Sequence, residues 1–200
     1  MKRSTAFFIC FIAIVGVFMA SCNNDSEENR AVVTVASING NAPFFSDVLD
    51  QGDTLFFPGT SNAFTQDDFV QEDFVEVIFH NRPYNVFTTT GPGLPLSDFL
   101  ITRYRVEWRA TGAAPAVPPV YDGATSIMVP SNELGIGYIV LVPFEVKNSP
   151  LMTPLNYSSV EYLMIADITF WGHEVGAQGR EWSFGASLSV NFADPLIVSE

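Results

Sequence analysis

Few residues of this chain have the types and spacing that chemistry needs. The two histidines, His80 and His173, are the side chains that could move protons near neutral pH. His80 precedes Asn81-Arg82-Pro83, and His173 follows Trp171-Gly172 beside Glu174. Both read as strand-end positions with no nucleophile paired to them, so a structural role is expected and no enzyme. No His pair or Cys cluster has zinc-ligand spacing, no Cys-x-x-Cys-His would attach haem, and no Gly-rich loop would cradle phosphate. The expectation is no metal and no cofactor. Two acidic stretches, Asp47, Asp50, Asp53 and Asp67, Asp68, Glu72, Asp73, carry oxygens that calcium could use, yet neither has the spacing of an EF-hand loop, and both read as solvated loops. Three cations remain: Arg103, Arg105 and Arg109, at spacings of two and four, which strand alternation puts on one sheet face. They form a possible partner-binding face. The competing reading is internal, with Glu161 or Asp167 of a neighbouring strand opposite them.

Charge makes that stripe stand out. The 200 residues carry nine basic and 22 acidic side chains, a net charge of −13. Lys2 and Arg3 lie in an N-terminal targeting segment, and without it seven basic residues stand against 22 acidic ones, a net −15. Such a body is repelled by phosphate backbones and anionic headgroups, so nucleic acid is excluded as a partner and lasting membrane contact needs a covalent anchor. An apolar content of 48%, with 18 Phe, is too high for disorder and sufficient for one core.

The elements that must position these residues are strands. Trp182, Phe184, Ala186, Leu188, Val190 and Phe192 alternate with small or polar residues, and Leu100, Tyr104, Val106 and Trp108 point inward against outward Arg103, Arg105, Glu107 and Arg109. Further runs lie at Ala31 to Ile38, Asp73 to Asn81, Thr125 to Val129, Tyr138 to Val146 and Glu161 to Trp171. About seven strands with no crossover helix between them predict an all-β fold, a single antiparallel two-sheet sandwich over 31–200. The Gly112 to Pro119 stretch cannot join a sheet interior because Pro lacks the donor. The segment from Asn39 to Gln71, with Phe44, Phe45, Phe56, Phe57, Phe64 and Phe69, shows no clear strand. It reads as either a packed lid over a sheet edge or a binding loop, and its Phe content favours packing.

Met1 to Cys22 has a basic start, an apolar stretch from Ala6 to Ala20 that is too short to span a bilayer, and small residues before Cys22. Met19-Ala20-Ser21-Cys22 resembles the lipobox of bacterial lipoproteins. The resemblance implies a signal peptide over 1–21 and acyl chains such as palmitate on Cys22; the polar and acidic run that follows reads as a solvated tether over 22–30. Asn23 is not the Asp that resembles an inner-membrane retention signal, so outer-membrane sorting is expected. Seven strands with Trp108 on the third resemble the immunoglobulin and fibronectin type III sandwiches, without the paired cysteines of antibody domains. Phe79-His80-Asn81-Arg82-Pro83, Thr102-Arg103-Tyr104-Arg105-Val106 and Ile168-Thr169-Phe170-Trp171-Gly172 resemble segments of small Gram-negative envelope lipoproteins. The expected function is non-enzymatic: a lipid-anchored envelope protein that contacts another envelope protein or supports an outer-membrane assembly. The alternative is a glycan-binding or adhesion module.

Overall fold

Alternation decides most of the strands, and the places where it breaks decide how they face. The computed structural model describes residues 31–49, 54–56, 63–65, 70–83, 97–112, 114–156, 158–176 and 181–194. The strands are β1 (Ala31–Ile38), β2 (Phe44–Asp47), β3 (Thr54–Phe56), β4 (Ala63–Thr65), β5 (Asp73–Pro83), β6 (Phe99–Ala110), β7 (Tyr121–Val129), β8 (Leu134–Val142), β9 (Tyr162–Glu174) and β10 (Trp182–Ala193), with a single helical turn, α1 (Phe144–Lys147), after β8. One sheet has the order β1-β5-β8 and the other β2-β10-β9-β6-β7, while β3 and β4 form a separate hairpin. The molecule is all-β and sandwich-like, and its larger sheet curls into a half-barrel.

The inward residues of the two sheets make one core. Val33, Val75, Val77, Phe79, Ile139 and Leu141 come from the smaller sheet; Ile101, Val106, Ile168, Phe170, Val190 and Phe192 come from the larger. Phe79 meets Phe170 edge to face at 5.0 Å between ring centroids, the geometry favoured by the ring quadrupoles. Trp108 is buried and packs on Phe192 at 5.3 Å.

Four expectations need correction. The two sheets hold eight strands rather than about seven, because β2 lies inside the segment from Asn39 to Gln71 that showed no clear strand; the β3–β4 hairpin lies there too. Four residues with Phe44 and Phe45 adjacent show no alternation, so only tertiary pairing identifies β2. That pairing is parallel, Val190 opposite Phe44 through Ala193 opposite Asp47, so the sheets are not wholly antiparallel. The strand expected at Tyr138 to Val146 runs instead from Leu134 to Val142 and stops before Pro143, which has no N–H for a ladder and starts α1. Finally, Leu100 does not point inward. A bulge between Ile101 and Arg103 inverts the parity of β6, so Phe99 and Ile101 are buried before it and Tyr104, Val106 and Trp108 after it.

Candidate functional site

The two outer sheet faces differ in chemistry. On the larger sheet, strand parity gathers Arg103, Arg105 and Arg109 on the solvent side of β6, where each meets a carboxylate of its own sheet or of the residue just before β10. Arg103 donates to both oxygens of Glu181, at 3.2 and 2.6 Å, and lies 4.4 Å over the Trp171 ring. Arg105 donates to both oxygens of Asp122 at 2.7 and 3.0 Å. Arg109 grips Asp167, which also accepts from Ser187 Oγ at 2.5 Å. Hydrogen bonds from these arginines hold the carboxyls of Asp122, Asp167 and Glu181 below their ordinary range. Of the two acids expected opposite the stripe, Asp167 is there, while Glu161 accepts from Asn191 at 2.9 Å. The stripe is therefore a set of paired ions rather than free cations.

The outer face of the smaller sheet is apolar. Register places Thr34, His80 and Leu134 in one row, Ser37, Ile78 and Ile136 in the next, then Glu76 with Tyr138, then Phe74 with Val140. Leu134, Ile136 and Tyr138 are 57, 60 and 63% exposed and Phe74 51%. Four large apolar side chains on two adjacent strands form the kind of contiguous patch that soluble proteins seldom leave uncovered without a use. Tyr138 donates its hydroxyl proton to Glu76 at 3.0 Å, and that bond raises the phenol above its ordinary value. The inward positions between the exposed ones are Gly135 and Gly137, where a Cβ would fall 2.8 Å from the Met128 carbonyl oxygen and 2.3 Å from Ile127 Cδ1. These glycines let β7 press close beneath β8, leaving the bulk of β8 to project outward.

That position is held by a bond across the core. The Tyr104 hydroxyl, brought from β6, accepts the Val140 N–H of β8 at 3.0 Å. Its ring occupies the space opposite Gly123 of β7, where a Cβ would sit 2.2 Å from Tyr104 Cζ. Burial pushes the Tyr104 phenol well up, so it stays protonated.

The other residues singled out by sequence lie apart from this face or are differently employed. His80 is in the row of Thr34 and Leu134, half-buried; His173 stands on β9 opposite Leu100. Among the described acids, Asp73 is bound to Lys147 Nζ at 2.6 Å and to Ser46 Oγ at 2.6 Å, with Lys147 fully buried, and Asp47 accepts from the Leu49 N–H at 3.3 Å. Glu72 is exposed, while Asp50, Asp53, Asp67, Asp68 and Cys22 lie outside the described residues. Among the described residues no group of three or more His, Cys, Asp or Glu could hold a metal ion. Phe44 packs on the core and Phe45 is about half exposed; the side chains of Phe56, Phe57, Phe64 and Phe69 are outside the described set. The apolar face was missed because the reading of β8 began at Tyr138. The signal was Leu134-Gly135-Ile136-Gly137-Tyr138, large residues alternating with glycine. Comparisons with protein-family models and with curated proteins found no match.

Proposed function

We propose that this chain is a non-enzymatic lipoprotein of the cell envelope, acylated on Cys22 and held at the outer membrane, whose immunoglobulin-like sandwich binds another protein through the outer face of the β1-β5-β8 sheet. The observation that carries the binding reading is the exposed set of Phe74, Leu134, Ile136 and Tyr138 on one face of a body whose opposite face is a lattice of ion pairs. Burying such a patch against a partner removes apolar surface from water at about 25 cal/mol per Å². The immunoglobulin-like reading is supported by strand order: β1-β5-β8 matches A-B-E, and β7-β6-β9-β10 matches C′-C-F-G. The lipobox resemblance at Met19 to Cys22 supports the anchor.

A photo-crosslinking side chain placed at Ile136 in intact cells tests the reading. A discrete protein adduct is expected from Ile136 and none from Glu107 on the opposite face. Equal labelling from both positions, or no adduct at Ile136, would count against this face as the binding surface.

A further inference from the structure

A second surface lies at the edge of the larger sheet, independent of the apolar face. β2 pairs with β10 only from Val190 to Ala193. Beyond Phe44, among the described residues, no strand continues along the rest of β10. The side to which each backbone group turns follows from one bond: Ala193 presents its carbonyl to the β2 side, where it accepts from the Val48 N–H at 3.0 Å. The β9–β10 ladder runs without a register shift from Trp182 to Phe192. Backbone groups alternate between the two sides of a strand, so Ser187, Gly185 and Ser183 turn their N–H and C=O to the same open side.

Two further observations fall in the same place. Where β2 covers β10, Val190 and Phe192 are buried; where it does not, Trp182, Phe184 and Ala186 are only half-buried, although they point to the same core. A groove of about 310 Å³ opens at the end of this edge nearest β2, lined by Ala186 to Ser189 on one side and by Val35 to Ile38 and Asn41 to Pro43 on the other. Exposed edges are ordinarily blunted by charge, proline or bulges. From Trp182 to Phe192 β10 has none of these: no charged residue, no Pro, no shift in register. The neighbouring outer strand β1, by contrast, is bulged between Val35 and Ser37.

We infer that the open edge of β10 from Trp182 to Ser187 receives an extended segment of a partner protein as an added strand, collinear with β2. A row of backbone donors and acceptors at strand spacing is matched by another extended backbone. Alternate side chains of that segment would cover Trp182, Phe184 and Ala186, so the occupant is alternately apolar. The small outward residues Ser183, Gly185 and Ser187 place no bulk in its way.

The test is amide hydrogen exchange on the full chain, with a blocked eight-residue peptide of alternating Val and Thr as probe. In the dilute protein alone, the amides of Ser183, Gly185 and Ser187 exchange at least 10-fold faster than those of Phe184 and Ala186, which face β9. Millimolar peptide slows the three by about 10-fold or more, and the same peptide N-methylated at every amide does not. Ser187→Ala, which loses only the hydrogen bond to Asp167, keeps the effect. Ser187→Pro removes one edge donor without touching the β9 ladder, so it melts near the parent and loses the protection; if it fails to fold, the peptide arm on the parent chain decides. The inference is overturned if the three amides are already as slow as their neighbours in dilute protein, if the peptide protects none of them, or if a folded Ser187→Pro is protected equally. Protection that appears on raising protein concentration alone would assign the edge to a second copy and overturn the partner strand.

Discussion

At the scale of single residues, the arrangement depends on buried polar groups that are matched and on glycines that make room. Lys147 is fully enclosed and its ammonium meets Asp73, which Ser46 also holds. Removing one member of such a pair strands the other charge, so Lys147→Met is expected to cost about 3–5 kcal/mol, and the double variant with Asp73→Asn to recover much of it. Urea melts of the two single variants and the double give the coupling; additive losses would show that the pair does not act as a unit. Gly123→Ala is expected to cost about 1–3 kcal/mol, because the new methyl competes with the Tyr104 ring. A midpoint equal to that of the parent would mean that the ring moves aside freely. Trp108 is legible from sequence as core, since its alternation with Glu107 and Arg109 survives the bulge. Its truncation to Ala is expected to lower stability by about 3–5 kcal/mol. The roles of Gly123 and Gly137 were not legible, because the clash a side chain would make belongs to a neighbouring strand.

At the scale of elements, the outer face of β6 is fixed by cross-strand pairing. The carboxyls of Asp122, Asp167 and Glu181 are held below their ordinary values by their arginines, so the stabilisation they give is complete above the unfolded carboxylate range, near pH 4, and is lost as pH falls through the lowered folded values. Because the arginines are well exposed, the effect is expected to be modest. Thermal melts of the parent against Arg105→Gln with Arg109→Gln should converge as the pH falls below the ordinary carboxylate range. A gap that is constant with pH would place the effect elsewhere. Spacing alone put the three arginines on one face, and that part of the reading needed no structure. Their partners come from β7, from β9 and from just before β10, at 17 to 78 residues' distance along the chain, which no local pattern reveals. The same holds for β2, whose strand character comes from β10 rather than from its own four residues.

At the scale of the whole molecule, the proposed address and the fold rest on different residues. Cys22→Ser is expected to release the protein from the membrane fraction, since a chain of net charge −13 has no electrostatic attraction to an anionic surface. Fractionation after a salt wash, with metabolic acyl labelling, checks this; membrane retention of the variant would contradict an acyl anchor at that cysteine. The sequence by itself determined the all-β class, the inward faces of β9 and β10, and the side on which the arginines of β6 stand. Alternation is a property of consecutive residues, and the pleat converts it directly into facing. Only the tertiary structure decided which outer face is apolar, which edge stays open among the described strands and where β6 inverts, because these depend on strands distant in the chain. Leu134, Ile136 and Tyr138 project outward while Gly135 and Gly137 admit β7 on the inner side, and among the described residues β10 has no further strand beside it beyond Phe44 of β2.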